Sequence, residues 1–194
     1  MRVAAEEKPK IFEGAKDITL SLGVTVIAML AVVGATGLCT INPESSQQAV
    51  QEVDAQTFLE MEARVGDTAV RSPQMPQGWK PNAARRASVA GTNAPRVSWV
   101  TDSQGYVEST QTSLSAADAI KGYDSKYRPD TTTRQIDGVD VEVASSEDKD
   151  VRRLWVVDLG DERVIISGAA DDGDFETAVR AFLRAQPLPN SSAA

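Results

Sequence analysis

The acidic side chains near the C-terminus have the spacing that most suggests chemistry. The run Asp171-Asp172-Gly173-Asp174-x-Glu176 resembles part of a calcium loop. Such a loop needs oxygen ligands at alternating positions and a closing Glu about six residues beyond its central Gly. Val179 stands where that Glu is needed, so the calcium pattern fails. We interpret the run as a helix cap, in which Asp172 or Asp174 accepts from free backbone N–H groups.

Other pairings that could support catalysis are weaker. Paired carboxylates are the catalytic groups of glycosidases. Asp140 and Glu142 alternate along one face of a predicted strand, as surface residues often do, and no aromatic pattern accompanies them to stack a sugar. Ser167-Gly168 lacks the flanking glycines of a nucleophile elbow. We therefore interpret these residues as structural.

Histidine is absent and cysteine occurs once, as Cys39. These two facts exclude a histidine-based triad, histidine metal ligands, an internal disulfide and a cysteine-cluster zinc site. We predict that the chain is not an enzyme and that it uses no cofactor or metal. Cys39 is interpreted as a plain thiol at the outer membrane interface, with lipid attachment or an intermolecular disulfide as alternatives.

Composition limits the partners. The net charge of −8 argues against nucleic acid, because phosphate binding needs clustered Lys and Arg. Aromatic residues make up 5%, so the core must depend on Val, Leu, Ile and Ala. A length of 194 residues suggests one globular domain with an appendage.

That appendage is an apolar stretch near the N-terminus. Between Asp17 and Glu44 no residue carries a charge. A helix of about 20 apolar residues crosses a bilayer and satisfies its own backbone there. We predict a transmembrane helix over 18–41. A cleaved signal peptide is the alternative, with Ala35-Thr36-Gly37 as its processing site.

Basic residues set the expected orientation of that helix. Arg2, Lys8, Lys10 and Lys16 precede it, whereas the first basic residue after it is Arg64. The positive-inside rule therefore predicts a cytoplasmic tail over 1–17 and an extracytoplasmic C-terminal part. The expected location is the cell membrane, with the lipid bilayer as one partner.

Small residues repeat along one face of the predicted span. Ala31, Gly34 and Ala35 lie three and four positions apart, which allows close helix–helix approach in lipid. We predict that this face packs on a helix of a partner. The alternative is that small residues are simply frequent in membrane helices.

The rest of the chain divides by composition. Residues 42–78 read as a connector with one helix, capped by Ser45, Ser46 or Asp54, and a strap rich in proline. A domain follows over 79–187, and the small polar residues of 188–194 predict a disordered tail.

Hairpins and helices alternate within this domain. Arg96–Val100 with Tyr106–Gln111, Thr131–Ile136 with Val139–Val143, and Arg153–Leu159 with Val164–Ser167 read as strand pairs. A short helix capped by Ser113 or Ser115 and a final helix ending before Pro187 complete the pattern. We predict an α+β fold: an antiparallel sheet with two helices packed on one face.

Trp79, Trp99 and Trp155 are expected in the core or against the strap. The basic pairs Arg85-Arg86 and Arg152-Arg153 are either solvated or in contact with an acidic partner.

Several motifs recur in a fixed order along nearly the whole chain. They are Lys16-Asp17-Ile18 leading into the span, Gln77-Gly78-Trp79-Lys80-Pro81, Trp99-Val100-Thr101, Tyr106-Val107 with Gln111, and Val164-Ile165-Ile166-Ser167-Gly168. This order resembles a domain family of unknown function in membrane-anchored proteins of mycobacteria and corynebacteria. The family pattern places an aromatic residue soon after the glycine of Asp137-Gly138, where this chain has Val141.

The resemblance implies a single-span protein with an outer domain and supplies no catalytic residue. Relatives of this build occur as accessory subunits of actinobacterial membrane complexes. We expect a non-catalytic accessory subunit of an integral membrane complex, with the respiratory supercomplex of cytochrome bc and cytochrome c oxidase as the first case to test. The alternative is an extracytoplasmic ligand-binding or sensing module of the cell envelope.

Overall fold

The computed structural model describes residues 11–35, 52–66 and 68–190. The chain forms two compact units, Met1–Gln48 and Ala49–Ala194.

Within its described residues, the N-terminal unit forms helix α1 over Ile11–Ala35. Its stretch Asp17–Gly34 has a mean hydropathy of 2.0, and none of that stretch is buried. The 25 residues span about 37 Å at 1.5 Å per residue. By length and composition this helix can cross a membrane, although a signal sequence near an N-terminus has the same properties. The helix begins before the predicted span, and 36–41 lie outside the described residues.

The second unit is built on one seven-stranded sheet in the order β1-β2-β3-β7-β6-β5-β4, with every neighbouring pair antiparallel. The strands are β1 Lys80–Val89, β2 Thr92–Val100, β3 Tyr106–Thr112, β4 Asp130–Ile136, β5 Val139–Ser145, β6 Leu154–Asp158 and β7 Arg163–Gly168. The predicted α+β class with an antiparallel sheet is confirmed.

Two tight turns set the register of the outer hairpins. Asp137 and Gly138 have φ values of 50° and 83°, which a type I′ turn requires, so the predicted β4–β5 hairpin is confirmed. Ala90 and Gly91 make the same kind of turn between β1 and β2. The sequence reading missed β1, because its alanines and arginines lack the alternating β-branched pattern of a strand.

Three helices accompany the sheet: α2 over Ala55–Val65, α3 over Ala116–Tyr123 and α4 over Asp172–Arg184. Each begins at a side chain that accepts a backbone N–H three positions ahead, namely Asp54, Ser115 and Asp171. These caps satisfy donors that have no partner within the helix. Asp54 and Ser115 were among the predicted caps of α2 and α3.

The two faces of the sheet carry separate cores. Leu59 of α2 and Phe182 of α4 share one core with Trp155 and Ile166 of the central strands. Ala119 of α3 packs on the opposite face. Two helices therefore pack on one face of the sheet, as predicted, but these helices are α2 and α4. The two helices predicted after Trp79, α3 and α4, lie on opposite faces, because side chains on both faces of β6 and β7 are apolar and both need cover.

The segment predicted as a connector contributes to the domain itself. Leu59 and Val70 are buried in the core that α2 and α4 cover. Leu188, predicted within a disordered tail, donates its backbone N–H to Val70 O at 2.8 Å and packs against the same core. The strap therefore holds the chain after α4, while 191–194 lie outside the described residues.

Candidate functional site: the Glu108 pocket

A buried carboxylate lies at the centre of the face that α3 covers. Glu108 is in the middle of β3 and is 7% exposed. Tyr123 Oη donates to its Oε1 at 2.7 Å, and Tyr106 Oη donates to its Oε2 at 2.9 Å. Alternation along β3 turns Glu108 away from Val107, which lies in the other core.

Two guanidinium groups complete the surroundings of this carboxylate. Arg96 Nη1 lies 3.3 Å from Glu108 Oε1, and Arg85 Nη2 lies 3.6 Å from Oε2. Arg96 is fixed in turn, because its Nε donates to Thr110 and its guanidinium lies 4.7 Å from the centre of the Tyr123 ring. Strand register places Arg85 opposite Arg96, so both reach the same acid.

Burial raises the pKa of the Tyr123 phenol, and the nearby Glu108 raises it further. Burial likewise raises the pKa of Tyr106. Both phenols therefore remain protonated donors at neutral pH. Because phenols and guanidinium groups occupy both Glu108 oxygens, the arrangement suits positioning of the surrounding side chains rather than proton transfer.

The two tyrosines and Glu108 line a cavity of about 220 Å³. Its other lining residues are Asp124, Lys126, Asp150, Arg152, Ser167 and Gly168. Gly168 has a φ of 149°, and a Cβ there would lie 1.9 Å from Tyr106 O. Only glycine allows β7 to approach β3 this closely at the cavity. We call this cavity the Glu108 pocket.

A rigid loop forms one wall of the pocket. Arg128 is buried, its two terminal nitrogens donate to the Asp124 carboxylate, and its Nε donates to Arg152 O at 2.8 Å. These contacts fix the loop between α3 and β4. The same loop displays Tyr127, which is 81% exposed.

The rim of the pocket carries free cationic groups. Lys126 and Arg152 line the cavity, and within the described residues neither forms a salt bridge. Arg152 instead lies over the Tyr106 ring, 5.9 Å from its centre. Of these side chains, Tyr127 and Arg152 are of the types that are enriched in protein-binding hot spots.

The acidic residues between Asp171 and Glu176 have structural roles. The capping interpretation is right, but the cap is Asp171, whose Oδ1 accepts from Asp174 N at 2.9 Å. Asp172 and Asp174 were the predicted caps, yet they lie inside the first turn of α4 and point elsewhere. Asp172 pairs with Arg134 and Arg153, while Asp174 accepts from the Thr101 hydroxyl.

Other residues considered for chemistry have structural partners too. Asp140 accepts from Gln135 at 2.9 Å across the β4–β5 hairpin. All three tryptophans are buried in the core that α2 and α4 cover, as predicted. One or both members of each basic pair contact acids within the chain: Arg86 Nε lies 2.8 and 2.9 Å from the two Glu62 oxygens, and Arg153 lies 2.6 Å from Asp172, whereas Arg152 lies over the Tyr106 ring.

The predicted helix-packing face lies on α1. Ala31 and Gly34 are exposed there, and the side chain of Ala35 lies outside what the structure describes. Their packing on a partner stays a prediction. Cys39 also lies outside the described residues.

Sequence reasoning missed Glu108 as the centre of a site. The motifs had already singled out Tyr106, Ser167 and Gly168, which the β3–β7 pairing brings together. A useful signal was a charged residue in a strand whose neighbours Val107 and Ser109 read as interior. Arg96, Tyr123 and Arg152 lie in other segments of the chain, so the local sequence pattern around Glu108 could not assign them to this site.

The fold and the pocket define a class: an α+β domain with an open antiparallel sheet, following an apolar helix long enough to span a membrane. The chain belongs to the family described as "Protein of unknown function (DUF4245)", which it matches over residues 10–182. No curated protein and no solved structure matches it.

Proposed function

We propose that this chain is a membrane-anchored, non-catalytic accessory subunit that docks a partner protein through the rim of the Glu108 pocket. The observation that carries the proposal is the exposed Tyr127, which follows Lys126 in the chain, while Lys126 and Arg152 line the pocket and form no salt bridge among the described residues. Loop residues held rigidly lose little entropy on binding, which favours a docking role.

The anchor part depends on α1. Its large apolar side chains from Ile18 to Val32 are exposed, and lipid is the environment that removes that surface from water. Cationic residues precede the helix, which supports an N-terminus in the cytoplasm and a sheet domain outside. Ala31, Gly34 and Ala35 then supply a face for a partner helix.

A non-catalytic role is supported by how the acidic groups are used. Glu108 is surrounded by phenols and guanidinium groups, and Asp171 caps a helix. Each of these carboxylates already accepts hydrogen bonds that stabilise the fold, and a catalytic cycle that used the carboxylate would break them. We expect the partner to present a carboxylate to Lys126 and Arg152. The chain as a whole is acidic and repels carboxylates, so these two cations mark a place on its surface where a carboxylate is attracted.

The respiratory supercomplex of cytochrome bc and cytochrome c oxidase is the first partner to test, on the analogy of build described above. The experiment is affinity purification of the full chain from membranes in mild detergent, with the oxidase and cytochrome bc subunits quantified. Wild-type protein is expected to enrich them. Tyr127→Ala with Arg152→Glu should reduce the yield at least tenfold, whereas the control Arg64→Glu, an exposed residue of α2 on the other face of the sheet, should not. Recovery of wild-type protein as a lone monomer would refute the proposal.

A second candidate function is an extracytoplasmic ligand-binding module. The cavity of about 220 Å³ favours it, since a small polar ligand fits among Ser167, Arg152 and the phenols. A thermal-shift screen with phosphate, envelope glycans, lipids and metals tests this role. Stabilisation that disappears in Arg152→Ala supports it, and no stabilisation by any probe argues against it.

A further inference from the structure

The two free edges of the sheet differ in how they are protected. β1 carries Pro81, a register shift between Pro81 and Ala83, and the charged side chains of Arg85 and Arg86. Its edge is also partly covered, because Val53 N donates to Pro81 O at 3.0 Å. Proline, bulges and charges are the devices by which natural sheets prevent edge-to-edge pairing.

β4, at the opposite edge, has neither a proline nor a bulge along Asp130–Ile136, and its charged residues are Asp130 and Arg134. Its centre is Thr131-Thr132-Thr133, three exposed, uncharged residues of high β propensity. It pairs with β5 in continuous register, without a bulge. The strand therefore presents a straight edge of backbone groups.

The turn geometry shows which backbone groups face that edge. A two-residue type I′ loop closes on a hydrogen-bonded pair, here Ile136 and Val139. Alternation then directs Arg134, Thr132 and Asp130 toward β5. The N–H and C=O groups of Thr131, Thr133 and Gln135 point outward.

The edge is complementary to itself. If two copies pair antiparallel about Thr132, Thr131 of each copy meets Thr133 of the other, and the outward groups of both form hydrogen-bonded pairs. Asp130 of each copy then lies opposite Arg134 of the other, on the same face of the sheet. Among the described residues Asp130 has no ion pair. Arg134 Nη1 lies 3.0 Å from Asp172 and 3.3 Å from Glu176, and its side chain is 40% exposed, which leaves room for a further carboxylate.

We propose that β4 is a self-pairing edge through which two copies of this chain form an antiparallel dimer centred on Thr132. The charges fix the register, because shifting it by two residues places Asp130 opposite Thr132 or Ile136 and loses both ion pairs. A shift by one residue places the outward N–H and C=O groups of one strand opposite residues of the other copy whose backbone groups point toward β5. Confinement to one membrane raises the effective concentration of copies and favours an interface this small, a point that rests on the proposed anchoring.

Disulfide trapping in full-length chain in membranes tests the register. In a Cys39→Ser background, Thr132→Cys places two thiols in a non-hydrogen-bonded pair, with Cα atoms about 4.5 Å apart, within reach of a disulfide. Mild oxidation should convert most of the protein to a covalent dimer. Asp130→Cys should not, because its copies lie about 13 Å apart in this register. Ser88→Cys on β1 is the control at the other edge.

A second variant checks that pairing needs the free edge. Thr133→Pro removes an outward N–H and leaves the β5 ladder intact, so trapping at Thr132→Cys should fall at least fivefold while the melting transition remains. Equal trapping at 88 and 132, or trapping unaffected by Thr133→Pro, would overturn the proposal. Trapping of a different protein at 132, without the homodimer, would overturn it as well.

Discussion

Arg71 Nε donates a hydrogen bond to Glu162 Oε1 across 2.7 Å, although the two residues lie 91 positions apart in sequence. Arg71 belongs to the proline-rich strap, and Glu162 to the turn between β6 and β7. Arg71 also donates to Ala185 O at the end of α4, and its backbone N–H and C=O pair with the Gln111 side chain. One arginine thus ties the strap to the sheet and to the final helix.

Arg71→Ala should therefore destabilise the domain strongly. It leaves Glu162, which is 0% exposed, as a buried acid without its partner, and such losses cost about 3–5 kcal/mol. Chemical denaturation measures the free energy of unfolding. Arg64→Ala is the matched control, because Arg64 makes an exposed pair at 3.9 Å and should leave stability nearly unchanged. Replacing both Arg71 and Glu162 by Met should recover most of the loss.

The same pair predicts a pH dependence. Burial raises the pKa of Glu162 to about 7 from an ordinary 4.5, because desolvation outweighs the attraction of Arg71. Between those values the folded chain holds a proton that the unfolded chain has released. The stability from this group is thus complete below pH 4.5 and is lost as pH rises through 7.

Glu162→Gln isolates that contribution. Wild-type protein should lose on the order of 3 kcal/mol between pH 4.5 and 8 relative to the variant, since each pKa unit corresponds to about 1.4 kcal/mol. Unfolding free energies of both proteins across this range provide the measurement. Parallel curves for the two proteins would contradict the assignment.

Glu108 should act as the structural centre of its pocket. Glu108→Ala leaves Arg96 and two phenols without their acceptor, at a cost of about 3–5 kcal/mol. Tyr123→Phe removes one hydrogen bond and should cost about 1–2 kcal/mol. Denaturant titration distinguishes these values, and Tyr127→Phe at the exposed rim should be neutral. A neutral Glu108→Ala would show that the cluster contributes nothing to the fold.

Gly168 is expected to tolerate no side chain. Gly168→Ala brings a Cβ within 1.9 Å of Tyr106 O at a φ of 149°, so β3 and β7 must separate, at a cost of about 3 kcal/mol or more. Gly91→Ala is the control: its φ is 83°, but open space surrounds it. That variant should cost only about 1 kcal/mol, the conformational part alone. Similar melting temperatures for the two variants would contradict the steric explanation.

Arginine in α1 should release the chain from membranes. Val26→Arg with Leu30→Arg places two charges in the apolar stretch, each costing about 2.5–3.5 kcal/mol on insertion scales. Wild-type protein should resist alkaline carbonate extraction and the double variant should not. Val65→Arg on α2 is the control. An N-terminal tag that persists on the mature chain separates an anchor from a cleaved signal.

Local patterns were sufficient where the interaction that makes an element is itself local. The Asp137-Gly138 turn, the cap at Ser115 and the uncharged run of α1 could be read directly, because each depends on residues a few positions apart. The same reasoning failed for β1. That strand exists because β2 offers it a hydrogen-bonding edge and α2 covers Ala84, and neither is visible in its own residues.

The amino-acid sequence by itself determined the apolar helix, the α+β class, the absence of histidine chemistry and most of the hairpins. Only the tertiary structure decided that α3 and α4 lie on opposite faces, that Asp171 rather than its neighbours caps α4, and that Arg85, Arg96 and Tyr123 converge on Glu108. The physical reason is that side-chain alternation fixes which residues share a face, whereas strand order fixes which faces meet. Strand order depends on burial and pairing summed over the whole sheet.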